Sequence, residues 1–129
     1  MNHAIRRLPD SELAVMQALW DARRPLTRPE LDLALADKQW TASTVVALLS
    51  RLEGKGVLAH EKHGRGYLYR PLITRKDYLA AESKTLLGSL FGGKPSNFIA
   101  ALHDGGALTR QDIDELRAWL DACEEQEGS

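Results

Sequence analysis

The chain has 129 residues, of which 43% are apolar, 6% aromatic and 27% charged, and 17 Lys and Arg stand against 18 Asp and Glu for a net charge of -1. That length suits one domain, or a small domain with an appendage, and the apolar fraction excludes wholesale disorder. Apolar runs such as Val45–Leu49 fall far short of the roughly 20 residues a bilayer span needs, and Met1–Leu8 carries Arg6 and Arg7 with no apolar stretch behind them, unlike a secretory signal.

Leu13, Met16 and Trp20 recur at helical spacing, with Val15 and Leu19 beside them, after a start signal in Pro9-Asp10-Ser11-Glu12. They predict a first helix over about 10–22. Thr27-Arg28-Pro29-Glu30 reads as a capping box, and Leu31, Ala34 and Leu35 give a second, short helix over about 28–37. Thr41 can cap a third, in which Val45, Leu48, Leu49 and Leu52 follow the i, i+3, i+4, i+7 pattern without a gap. Gly54 and Gly56 end it.

After Gly56 the period changes. Residues 57–62 and 67–70 are short β-compatible runs around the turn signal Gly64-Arg65-Gly66, and together they predict a β-hairpin with a basic tip. Thr74 caps a fourth helix over about 74–91, Gly92-Gly93-Lys94-Pro95 breaks it, and a fifth follows over about 96–103. Thr109-Arg110-Gln111-Asp112 starts the last helix, with Ile113, Leu116, Leu120 and Cys123 in a short heptad-like seam; residues 124–129 are polar and expected to fray. The single cysteine makes no internal disulfide and suits a reducing, cytoplasmic setting.

The near-zero net charge hides an asymmetry. Residues 1–80 hold 13 Lys and Arg against 9 Asp and Glu, whereas residues 81–129 hold 4 against 9. A basic part that meets a polyanion and an acidic part that meets protein fit this division. Helix, helix, turn, helix and hairpin is the order of a winged helix-turn-helix. The expected fold is therefore mostly α with a small β-hairpin wing: a DNA-binding domain over 1–73 and a three-helix dimerisation domain over 74–129. The third helix opens with Thr41, Ala42, Ser43 and Thr44, small residues that let backbone approach a major groove while hydroxyls bond base edges or phosphates. Opposite its core face lie Ser43, Ala47, Ser50 and Arg51, and the cationic tip Lys62-His63-Gly64-Arg65-Gly66 can lie along a phosphate backbone.

The C-terminal helices carry more apolar surface than a piece of that size can cover. Leu86, Leu87, Leu90, Phe91, Phe98, Ile99, Ile113, Leu116, Trp119 and Leu120 are expected to meet a two-fold partner, which would set two reading helices about 34 Å apart. Other readings remain open. A winged helix also serves as a protein-interaction module. A metal-responsive regulator is suggested by His60, Glu61 and His63, although on one strand the two histidines point to opposite faces. No nucleophile–base motif or phosphate loop points to an enzyme, and no cofactor or metal is expected.

The run Leu8–Trp20, the segment Trp40–Leu52 with Lys55-Gly56, the wing from Glu61-Lys62 through Tyr69–Ile73, Asp77-Tyr78 and the tail Leu108–Arg117 resemble the penicillinase repressor family of BlaI, MecI and CopY-type winged-helix repressors. The resemblance spans about residues 8–122. It implies a homodimeric repressor that binds operator dyads of double-stranded DNA in the cytoplasm. By position, Thr41, Ser43 and Thr44 fall where the family's recognition helix meets bases and phosphates, and Val46 falls at a further contact position. Arg51, Lys55, Lys62 and Arg65 would be phosphate contacts. The resemblance also implies, as in β-lactam-responsive, antibiotic-resistance members, release through a membrane sensor metalloprotease, by cleavage in the short helix of the dimerisation domain. The matching peptide here is Ala101-Leu102; the familiar Asn-Phe pair is absent there and occurs one turn upstream, as Asn97-Phe98. The copper branch relies on a cysteine cluster, which Cys123 alone does not supply.

Overall fold

A computed structural model describes residues 7–128. They divide into two compact units, the first ending at Ser83 and the second beginning at Lys84. The elements of the first unit run in the order α1 (Asp10–Ala22), β1 (Leu26–Thr27), α2 (Arg28–Ala34), α3 (Ala42–Gly54), β2 (Leu58–His63), β3 (Gly66–Pro71) and the start of α4 (Arg75–Leu90). This is a winged helix-turn-helix, mostly helical with a small antiparallel sheet.

Local chemistry sets the helix boundaries. The Thr27 hydroxyl accepts from the Glu30 backbone N–H at 3.3 Å while the Glu30 carboxylate accepts from the Thr27 N–H at 2.9 Å, so two of the free donors at the start of α2 are satisfied. α2 is shorter than its pattern predicts: it ends at Ala34 and tightens into a 3-10 turn, Ala36–Lys38, before Gln39 reverses the chain with φ 57°. Thr41 caps α3 by accepting from the Thr44 N–H at 3.2 Å. The buried faces of α1 (Val15, Met16, Leu19) and α3 (Val45, Leu48, Leu49, Leu52) close on Leu26, Leu31, Leu35 and Leu58.

The sheet order is β1-β3-β2, with Leu26 opposite Tyr69 and Leu58 opposite Pro71. A two-residue turn, Gly64-Arg65, joins β2 to β3, and its first residue has φ 60°, which suits glycine at that position of a hairpin. The third strand, β1, has no counterpart in the sequence reading. Leu26 and Thr27, one residue before a capping box and its first member, carry no strand periodicity, and only pairing with β3 makes them a strand.

The first turns of α4 belong to the first unit. Tyr78 is buried there, and its hydroxyl accepts from the Leu8 N–H at 2.9 Å, 70 residues away in sequence. The division at residue 83 therefore falls inside α4, ten residues beyond the expected one at 73.

The second unit comprises the later turns of α4, then α5 (Pro95–Asp104) and α6 (Arg110–Glu127). α4 closes where the Gly93 N–H, at φ 77°, donates to the Leu87 carbonyl at 2.8 Å. The Phe91 and Phe98 rings meet at 5.2 Å, and the Asn97 side chain donates to the Phe91 carbonyl at 3.1 Å. Thr109 and Asp112 form a second capping box. α6 does not fray at residue 124 but continues to Glu127, because Glu and Gln are good helix formers and the Gly128 N–H closes on the Glu124 carbonyl at 2.9 Å. No residue from 84 to 128 is buried.

Candidate nucleic-acid interface

The first turn of α3 stands out from the core. Thr41, Ala42, Ser43, Val46, Ser50 and Arg51 are exposed and Thr44 is half-buried. The Thr41 hydroxyl lies 3.1 Å from that of Ser43 and 3.0 Å from that of Thr44, so three hydroxyls form one small polar cluster at the positive end of the helix. Val46, 54% exposed, adds an apolar methyl surface one turn on. Arg28, at the start of α2, donates to Asp32 at 2.8 Å and to the Ala42 carbonyl at 3.2 Å, tying the two helices together beside this turn.

Arg51, Lys62 and Arg65 are exposed, and among the described residues no carboxylate pairs with them. Three cations free of internal partners on one small unit are available to an external anion. Lys55 differs. Its ammonium lies 2.5 Å from the carboxylate of Glu12, which sits in the core with its side chain only 4% exposed. The sequence reading missed Glu12, although a signal was present: residues 12, 15, 16 and 19 are spaced as one helical face, and the last three are buried.

The wing is tied to α3 as well. The His60 Nδ1 is bonded to the Glu53 carboxylate, and the Tyr67 ring meets the imidazole edge-on at 5.0 Å. Tyr69, half-buried beside them, has its phenol pushed up by burial. His60 and His63 do not converge, and among the described residues no group of three or more His, Cys, Asp or Glu is placed to hold a metal ion.

In the second unit, the residues expected at a dimer contact are all at least partly open. Leu86, Leu87, Phe98, Ile113 and Leu116 are half-buried and Ile99 is exposed, while Leu90, Trp119 and Leu120 are 68%, 64% and 53% exposed. Ala101 and Leu102 lie in the second half of α5; Ala101 is exposed, and the Leu102 carbonyl accepts from the Ala107 N–H at 2.9 Å.

Comparison with known proteins points one way. Residues 8–122 match the family described as penicillinase repressor. The sequence is 29% identical over 112 residues to the penicillinase repressor of Bacillus licheniformis, covering 87% of this chain and 88% of that one. It is 21% identical over 117 residues to the methicillin resistance regulatory protein MecI of Staphylococcus aureus (strain N315), covering 91% and 95%. Among solved structures, the solution structure of the Bacillus licheniformis BlaI monomeric form in complex with the blaP half-operator is 35% identical, covers 57% of this chain and 90% of its own, and superposes with a TM-score of 0.49.

Proposed function

The chain belongs to the penicillinase repressor family, and from that premise we propose that it is a homodimeric transcriptional repressor of operator dyads. Repressors of this family are regulators rather than enzymes. The observation that carries the DNA-binding reading is the pairing of an exposed, hydroxyl-lined first turn of α3 with a wing whose Lys62 and Arg65 have no internal carboxylate. A helix N-terminus and small side chains admit close approach to a major groove, and free cations track phosphates.

Thr41, Ser43, Thr44 and Val46 are then the residues that face bases and adjacent phosphates, and Arg51, Lys62 and Arg65 neutralise backbone. Lys55 is the exception in the expected set. Its charge is already engaged by Glu12, so its part is to hold the end of α3 rather than to reach a phosphate. Dimerisation is supported by the second unit, where the later turns of α4 together with α5 and α6 hold no buried residue and leave Leu90, Trp119 and Leu120 open to water. A two-fold partner covers them and spaces two readers for a near-palindrome. Among the described residues no helix is long and apolar enough to cross a membrane, and the chain would act where the DNA is, in the cytoplasm.

Release is assigned to cleavage at Ala101-Leu102 in α5 by a membrane sensor metalloprotease. The exposed Ala101 supports access, and α5 must unwind locally because proteases bind extended chain. Mass spectrometry of the chain from cells challenged with a β-lactam tests this: a fragment ending at Ala101 is expected, and an intact chain under derepression refutes it.

The DNA-binding reading is tested by titrating the chain against its own promoter at several salt concentrations. Log affinity should fall linearly with log salt, with a slope of about -0.9 for each phosphate neutralised. Absence of any shift in dilute buffer would refute the reading and leave a protein-interaction module.

A further inference from the structure

A concave surface on the first unit has no part in this reading. Where the end of α1, the end of β3 and the start of α4 come together, a cleft of about 420 Å3 opens. Its apolar wall is made by Trp20, Pro25, Pro71 and Leu72. Trp20 is fixed in place, since its indole N–H donates to the Ile73 carbonyl at 2.9 Å and the Arg75 guanidinium lies 5.6 Å from the ring centroid.

Four arginines rim the cleft. Two are neutralised: Arg24 by Glu30 at 2.6 Å, and Arg75 by Asp21. The other two, Arg23 and Arg70, have no carboxylate partner among the described residues. Arg23 also closes α1 in the left-handed conformation, φ 58°, a position that glycine occupies at less cost. The cleft thus combines an apolar wall with two guanidinium groups that have no carboxylate partner among the described residues, and its volume lies in the range of small-molecule sites, about 300–1,000 Å3.

We propose that this cleft binds a small organic anion with a flat apolar body, of which an aromatic carboxylate is the simplest form. The ring lies against Trp20, Pro71 and Leu72, and the carboxylate is met by Arg23 and Arg70. Position favours a small ligand over DNA. Gly66, at the wing tip, and Pro71, at the cleft, are the two ends of β3, about 17 Å apart at strand rise. The wing tip, with Lys62 and Arg65, is therefore remote from the cleft. This inference does not rest on operator binding.

The test is a titration of the 15N-labelled full chain, followed at the assigned Trp20 indole resonance. Benzoate and phenyl phosphate are the ligands, with inorganic phosphate, benzylamine and an operator duplex as comparisons. Benzoate and phenyl phosphate should shift the Trp20 resonance saturably, while inorganic phosphate and benzylamine leave it in place. Arg23→Gln and Arg70→Gln, both at exposed positions, should each weaken benzoate about tenfold, the loss expected for one hydrogen bond to a charged group. Four results would overturn the proposal: no saturation by about 10 mM benzoate, inorganic phosphate binding as tightly as phenyl phosphate, a benzoate shift unchanged in both variants, or a shift produced by the operator and not by benzoate. The ligand series on the unmodified chain decides the matter even if a variant fails to fold.

Discussion

Lys55→Met isolates the Glu12–Lys55 pair. In the intact protein the Glu12 carboxylate is almost wholly out of water and the Lys55 ammonium is 2.5 Å from it, with the lysine side chain 40% exposed. Removing one partner of a fully buried pair costs about 3–5 kcal/mol, because the other charge is left in the core without compensation. Here water reaches the lysine end, so roughly half of that is expected, about 1.5–2.5 kcal/mol at neutral pH. Glu12→Gln should cost less, about 1 kcal/mol, since Lys55 then returns to water. Glu12→Leu with Lys55→Met should recover most of the loss by replacing a charged contact with an apolar one. Urea unfolding followed by circular dichroism at one fixed protein concentration reads all four, with the slope m unchanged if only stability moves. The reasoning fails if Lys55→Met lies within about 0.5 kcal/mol of the parent, or if the two single losses simply add in Glu12→Gln with Lys55→Met. The same variant examines the functional assignment. A tether leaves the salt slope of operator binding unchanged, whereas a lysine that neutralises a phosphate lowers it by about 0.9.

Three further outcomes follow from the same geometry. Lys62→Ala should weaken specific and random DNA alike and flatten the salt slope by about 0.9, while Thr44→Ala should shift sequence preference by about 1–3 kcal/mol at one base step; a binding series on operator and scrambled duplexes separates them. Arg24 first, with Thr27, holds the Glu30 carboxyl down to about 2 from its ordinary 4.5. A carboxyl depressed in the folded state stabilises fully above the unfolded value and ceases to do so as pH falls through the folded one, so Glu30→Gln should remove pH dependence of stability between about 4.5 and 2 in acid titrations, and an unchanged acid limb would contradict the assignment. Leu120→Glu places a charge on the open face of α6 and should give a monomer in sedimentation equilibrium, with half-site binding kept and binding to the full dyad weakened about 10²–10⁴-fold; a persisting dimer would exclude this face.

The sequence made the helical frame legible because its signals are local. The stripe Val45, Leu48, Leu49 and Leu52, the capping box at Thr27 and the helix start at Thr109 each lie within one or two turns, and each appears where expected. What escaped depends on distant partners. β1 exists only because Leu26 meets Tyr69, 43 residues on. The role of Lys55 depends on Glu12, and the early turns of α4 join the first unit because Tyr78 reaches Leu8. The cleft shares this property: its arginines come from the stretch after α1, from β3 and from α4, and no spacing in the sequence brings them together. Thr41, Ser43 and Thr44 sit three residues apart at most, so their clustering was readable before any long-range contact was known.

How the reader is held bears on how a repressor of this design lets go. α3 is fixed near its start by the Arg28 bond to the Ala42 carbonyl, near its end by Lys55 on Glu12, and to the wing by Glu53 on His60, in addition to four buried side chains. Helix and wing are thus cross-tied to one body, and reshaping either means breaking several of these ties at once. The second unit has the opposite character: it has no buried residue of its own, and in the proposed dimer a partner covers its open face. A linked second reader acts at roughly millimolar effective concentration, so a half-site with a dissociation constant of about 10 μM gains about a hundredfold in a dimer. Loosening the second unit forfeits that factor and leaves each reader intact but weakly bound. On this account the exact peptide cut in α5 matters less than the loss of the covered face. Chains severed at Leu102 and chains bearing Leu120→Glu should release the full dyad to a similar extent, and strong dyad binding by either one would show that the readers hold on without being linked.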